Sequence, residues 1–143
     1  MNSKSGLMFG PNLILNSDLS SWTGDNPNNW TVLSEDSNNY ITEASGIGAR
    51  IVSDASSIVR MASNACIENG KTYKICIDIY SITSGYVTLK FNGVGSSIEE
   101  VISSVGVHCV VTTQTGNGTS VLVQRGDGGC DVTISSVTAR ELL

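Results

Sequence analysis

The chain has 143 residues and a formal net charge of −5; 40% of its residues are hydrophobic, 6% aromatic and 15% charged, and 15 are glycines. That length suits a single domain with a core large enough to need no staples, and the scattered Lys and Arg leave no basic stripe to track a phosphate backbone, which excludes nucleic acid as a partner. No apolar run approaches the roughly 20 residues of a membrane-spanning helix, and the opening MNSKSGLMFGPNLILNSD lacks the apolar core of a signal peptide, so the expectation is a soluble chain made in a cytoplasm.

In chain order, residues 1–11, with Gly6, Gly10 and Pro11, read as a flexible or docking arm ahead of one domain over residues 12–143. NLILNSDLSSWTGDNPNNW, residues 12–30, then sets a short apolar run beside a string of turn formers and places both tryptophans in one stretch. Strands are expected near residues 30–35, 39–44, 48–53 and 57–63. The clearest alternation follows in TYKICIDIYSI, where Tyr73, Ile75, Ile77 and Ile79 share one face and Lys74, Cys76, Asp78 and Tyr80 the other. YVTLKFN repeats it with Val87, Leu89 and Phe91 inward. In VGVHCVVTT the expected inward set is Val105, Val107, Cys109 and Val111, with His108 opposite. SVLVQR is a further strand with apolar residues on both faces.

Asn69-Gly70, Ser84-Gly85, Asn92-Gly93, Asn117-Gly118 and the run Gly126-Asp127-Gly128-Gly129 supply turn chemistry at short spacing. Period-two runs separated by such turns predict an all-β, antiparallel β-sandwich. In DVTISSVTARELL, Val132 and Ile134 keep one parity while Val137 and Ala139 keep the other. A β-bulge at Ser135-Ser136 returns both sets to the core, because one extra residue shifts the alternation.

The four cysteines, Cys66, Cys76, Cys109 and Cys130, form no CxxC pair, and His108 is the single histidine, which argues against zinc. Buried free thiols are the plain reading; a Cys66–Cys76 bridge across the Asn69-Gly70 turn is the other, against which a reducing compartment argues.

Asn12-Leu-Ile-Leu-Asn16-Ser17-Asp18-Leu19, then Trp22, then Asn28-Asn29-Trp30-Thr31, resembles the start of galactose-binding-like jelly rolls, especially carbohydrate-binding modules of the family 4, 9 and 22 type. Glu68-Asn69-Gly70-Lys71-Thr72-Tyr73 is similar to the hairpin that leads into their central strand, and Val132-Thr-Ile134-Ser-Ser-Val137 to their final strand. The three motifs stand in the family order and span nearly the whole chain. The resemblance implies a two-sheet jelly roll with adjacent first and last strands and, in many members, a structural calcium near the termini. Asp18 is the ligand this would use. The family's acidic residue in the last strand falls at Ser135 and the glycine of its first motif at Ser17, so carboxylates are short for a hard cation and no cofactor is expected.

Glycan binders stack sugar faces on exposed aromatics and read hydroxyls with amides and charged groups. The candidates opposite the core are Trp22, Tyr80, Tyr86 and Asn92; Trp30 is read as a lid over the core's end. His108 has no nucleophile motif beside it, adjacent Glu99 and Glu100 point to opposite faces of a strand, and Gly93-Val-Gly95 lacks a phosphate-cradling third glycine, so no catalytic site is expected. Arg125-Gly126-Asp127 reads as a chance tripeptide in a turn. Asn29-Trp-Thr and Asn117-Gly-Thr are glycosylation sequons only in a secreted chain.

Signal-less jelly rolls of this kind resemble accessory virion proteins of tailed bacteriophages. The expected role is therefore a non-enzymatic virion component, a capsid decoration or head-fibre protein that stabilises the assembled shell, with a tail accessory as the lesser reading. Its partners would be capsid or other virion proteins, in a homo-oligomer that is trimeric if it sits on a threefold site. The alternative is a carbohydrate-binding module for host or environmental glycans.

Overall fold

A computed structural model describes residues 6–95 and 98–143. The strands in chain order are β1 (Phe9–Asn12), β2 (Trp22–Thr23), β3 (Asn26–Pro27), β4 (Thr31–Leu33), β5 (Tyr40–Ala44), β6 (Gly48–Ser53), β7 (Arg60–Ala62), β8 (Thr72–Phe91), β9 (Glu99–Ile102), β10 (Gly106–Thr113) and β11 (Val121–Leu142). Every pairing is antiparallel.

The organising element is the ribbon formed by β8 and β11, which pair from Tyr73–Glu141 at one end to Phe91–Val121 at the other. Laid straight, the 20 residues of β8 would put Tyr73 and Phe91 about 60 Å apart. Their ring centroids lie 6.3 Å apart in an edge-to-face contact at 77°, so the ribbon bends and its two ends meet across the core. The protein is thus a β-sandwich, with one half of the ribbon in each layer. One layer runs β10, β8 (residues 72–82), β11 (130–142), β6, β5, with β1 against the end of β11. The other runs β9, β8 (87–91), β11 (121–125), β7, β4.

The expected Ser84-Gly85 hairpin turn is instead this bend, inside a continuous strand. Gly85 adopts φ 67°, and a Cβ there would lie 2.2 Å from the Gly129 carbonyl oxygen; the two backbones of the ribbon close on each other where it changes layer. The Gly126–Gly129 run is likewise an irregularity within β11, taking up the register shift between Arg125 and Cys130. Its glycines give the second strand the bend of the first.

Tyr73, Ile75, Ile77 and Ile79 face the core together with Val87, Leu89 and Phe91, as their alternation requires. Val132, Ile134, Val137 and Ala139 are all buried, with the register shift between Ile134 and Ser136 that reconciles their parities. Trp30 closes the core at 6% exposure and donates its Nε1–H to the Asn16 carbonyl at 3.2 Å. β1 pairs with the end of β11, the neighbouring first and last strands of the family resemblance. Residues 9–11 of the expected arm are therefore docked strand, Leu143 N donates to Met8 O at 2.8 Å, and residues 1–5 lie outside the described residues.

β10 reverses its expected faces. Val105, Val107 and Val111 are 61%, 66% and 47% exposed, while His108 and Val110 are half-buried and turned toward the sandwich interior. The run VGVHCVV carries valines at both parities, so its alternation is ambiguous and its partner decides. Cys109 sits opposite Cys76, whose face is outward because Ile75 and Ile77 fill the core, and the two form a disulfide. The Cys66–Cys76 bridge does not form; Cys66 and Cys130 are free thiols. Burial pushes both thiols up in pKa.

The disulfide closes a 33-residue separation, and Cys76→Ala/Cys109→Ala is expected to lower stability by about 3 kcal/mol in urea unfolding, as reductant does to the parent. Gly85→Ala, with the Gly129 backbone in its way, is expected to cost about 1–3 kcal/mol in the same measurement without changing the disulfide.

Candidate functional site

In the layer formed by β4, β7, β11, β8 and β9, register aligns the outward side chains into two rows. One is Leu33, Arg60, Gln124, Thr88, Val101; the other is Thr31, Ala62, Leu122, Lys90, Glu99. At ordinary strand spacing each row spans about 19 Å. Ala62, Leu122 and Thr88 lie on this outer face yet are 8%, 6% and 7% exposed. They form a recessed floor, sheltered by longer neighbours. None of the three belongs to the hydrophobic core cluster.

The polar groups of this face are unspent. Among the described residues the Thr88 hydroxyl, the Gln124 amide and the Lys90 ammonium have no side-chain hydrogen bond or ion pair. An unpartnered hydroxyl on a threonine as buried as Thr88 is uncommon, because desolvation goes uncompensated unless water or a ligand supplies the bond. Arg60 is oriented by its Nη1, which donates to Ser34 Oγ at 3.0 Å and to Ile58 O at 2.9 Å. Apolar Ala62 and Leu122 beside Thr88, Gln124, Arg60 and Lys90 make a surface with an apolar floor and hydrogen-bonding walls.

Of the residues expected from sequence, Tyr86 shares the outward parity of Thr88 and Lys90 on β8, and Asn92 lies just past the strand's end. The Tyr86 ring lies against Gly126, where an added Cβ would come within 2.7 Å of it, and its hydroxyl accepts the Asp127 N–H at 3.2 Å. Arg125 holds that segment by donating to the carbonyls of Ser57, Gly126 and Asp127 at 3.0, 2.9 and 3.1 Å. Its guanidinium is therefore spent inside the fold. Asn92 is a loop brace whose Oδ1 accepts the Ser120 N–H at 2.8 Å. Tyr80, 56% exposed, lies on the first half of β8, on the other layer. Trp22 is half-buried in the β2–β3 hairpin, packed against the core with its Nε1–H donated to Leu19 O at 2.7 Å. The four residues thus form no single platform.

Asp18 borders a separate hollow of about 340 Å³ between the N-terminal loop, the β5–β6 hairpin and Ser135, with Glu43 as the other carboxylate. Asp18 Oδ1 accepts from Ser20 N and Oγ at 3.2 and 2.8 Å. Among the described residues no three His, Cys, Asp or Glu converge.

His108 lines a groove of about 380 Å³ between β9 and β10, with Glu100, Val101 and Val107. Its Nε2 lies 3.3 Å from Ser104 Oγ and 2.8 Å from Ser104 O. The shorter contact, to a carbonyl, requires an N–H on that nitrogen, which leaves it no lone pair to take the serine's proton.

On the other layer, Arg50 grips Asp131 in a two-pronged bond, Nε to Oδ1 at 2.8 Å and Nη2 to Oδ2 at 2.7 Å. Nearby, the fully buried Asn39 amide donates to Asp36 and Asp54 at 3.0 Å each and to Ser56 at 2.9 Å, while its Oδ1 accepts from Ser53. The Asn39 amide holds Asp36, the Ser56 hydroxyl Asp54 and the Arg50 guanidinium Asp131 below the usual carboxylate range. These groups add stability above the ordinary carboxylate pKa of about 4, lost as pH falls through their lower folded values. Melting temperature is thus expected to drop between pH 7 and pH 3, and Asn39→Ala to flatten the drop while lowering the neutral-pH value.

No protein-family model and no curated protein matches the chain. Solved structures do. The enzymatically active domain of tailspike protein 4 of bacteriophage CBA120 is similar over 92% of this chain and 21% of its own, at TM-score 0.61 and 11% identity. A family 29 carbohydrate-binding module mutant complexed with mannohexaose matches over 95% of this chain and 92% of its own, at TM-score 0.59 and 12% identity. Another, complexed with cellulohexaose, matches over 87% and 88%, at TM-score 0.58 and 13% identity. At such identities the likeness is one of fold, and the fold is the β-sandwich of carbohydrate-binding modules. The chain spans about a fifth of the tailspike domain.

Proposed function

We propose that this chain is a non-catalytic glycan-binding module whose site is the outer face of β4, β7, β11, β8 and β9. The observation that carries the reading is the recessed, unpartnered Thr88 hydroxyl directly opposite the unpartnered Gln124 amide. A pyranose has an apolar C–H face and a rim of hydroxyls that donate and accept. Leu122 and Ala62 suit the first; Thr88, Gln124, Arg60 and Lys90 suit the second. Tyr86 closes one end as a ring fixed before any ligand arrives, so ordering it costs little on binding. The sandwich likeness to family 29 modules named in complex with mannohexaose and cellulohexaose supports this reading.

A virion setting is the second reading, and the likeness to a phage tailspike domain favours it. It points to a host-facing appendage better than to the decorated shell first expected; the shell role has no comparable support. Peptide mass spectrometry of purified particles of the phage that encodes it tests this, and absence from the particles ends the virion reading.

For glycan binding, affinity electrophoresis against mannan, cellulose-derived and bacterial surface polysaccharides is the direct measurement. Gln124→Ala is expected to weaken binding about tenfold with little change in melting temperature; Tyr86→Ala is expected to weaken it similarly and also to lower the melting temperature, because its ring packs on Gly126 and its hydroxyl accepts the Asp127 N–H. Trp22→Ala should instead lower the melting temperature and leave affinity intact. A folded parent that binds none of these polymers removes the proposal.

A further inference from the structure

β10 is an edge strand: it pairs with β8 on one side and ends the order β10-β8-β11-β6-β5 on the other. An exposed edge carries unpaired N–H and C=O groups, and proteins that must stay apart blunt such edges with Lys, Pro or a bulge. β10 has none of these. Its sequence GVHCVVTT contains no Lys, Arg, Asp, Glu or Pro, and its register with β8 runs from Gly106–Ile79 to Thr113–Thr72 without a shift.

The disulfide shows which backbone groups are free. The Cα atoms of Cys76 and Cys109 are 4.1 Å apart, the short spacing of a non-hydrogen-bonded pair in an antiparallel ladder. The N–H and C=O of Cys109 therefore point away from β8, and by the two-residue period so do those of Val107 and Val111. The same residues send their side chains outward, with Val107 66% and Val111 47% exposed.

We propose that two copies of this chain join through β10, edge to edge and antiparallel, about a two-fold axis at Cys109. A surface that meets its own copy must be self-complementary. On a chain of net charge −5, a strip without charged side chains is where two copies can meet with no like charges opposed. Centring the axis on Cys109 places each Cys109 opposite that of the second copy and each Val107 opposite the second copy's Val111. The free groups of Val107, Cys109 and Val111 then complete a ladder, and the four valines form one apolar patch on the outer face. The disulfide holds β10 on β8 beforehand, so pairing does not have to order the strand.

The test is sedimentation of the full, oxidised chain across a concentration series. The expected species has twice the 15.0 kDa of one chain. Val107→Lys/Val111→Lys sets lysines opposite each other in both pairs and is expected to raise the dimer Kd about tenfold or more. Val107→Lys/Val111→Glu sets opposite charges in the same places and restores the dimer, which a merely apolar association would not do. Both variants change exposed side chains, and matching thermal melts confirm the fold. The proposal is overturned if the parent sediments as a single chain at every concentration, if the Lys/Lys variant stays dimeric, or if both variants dissociate alike.

Discussion

Everything in this molecule hangs on one ribbon. β8 and β11 pair along their whole lengths, yet the rings of Tyr73 and Phe91, at the two ends of β8, touch edge to face. A strand pair can do this only by bending, and bending requires residues without side chains where the two backbones close. Gly85 and Gly129 stand at that point, each with a positive φ and with backbone where a Cβ would go. The two layers of the sandwich are therefore two halves of one ribbon. Other strands add to its margins: β10 and β9 along β8, and β1, β6 and β7 along β11.

The bend also gives the two outer faces different characters. On the first layer, polar groups answer one another: Arg50 holds Asp131, and Asn39 gathers Asp36 and Asp54. Such groups stiffen the surface and have little left to offer a ligand. On the second layer, Thr88, Gln124 and Lys90 bond to no other described side chain, beside an apolar floor of Ala62 and Leu122. Hydrogen-bonding capacity left open in a recess is costly to the free protein and is recovered when a ligand fills it. That asymmetry, more than any single residue, is what the proposed binding face rests on.

Much of this was legible in the chain. Alternation in TYKICIDIYSI and YVTLKFN assigns their core faces correctly, because a half-buried strand must place apolar groups every second residue. The conflict of parity between Ile134 and Val137 reveals the bulge at Ser135-Ser136. Trp30 reads as a core lid and is one. Alternation fails at VGVHCVV, where valines occupy both parities and the Cys76–Cys109 pairing settles the faces. Ser84-Gly85 reads as a turn because local chemistry does not distinguish a hairpin from a bend within a long strand. Tyr86 was visible as an outward residue of β8 and Asn92 as a polar residue just past its end, whereas Thr88, Gln124 and Arg60 carry no motif and are brought together by register between strands distant in sequence.

The sequence by itself determined the class of fold, the core and the net negative charge, since these follow from periodicity and composition, which are local or additive. The tertiary structure decided which cysteines meet, which face of β10 is outward and which polar side chains lie unspent in one recess. Those depend on how a bent ribbon aligns residues far apart in the chain, and neither spacing nor propensity contains that alignment.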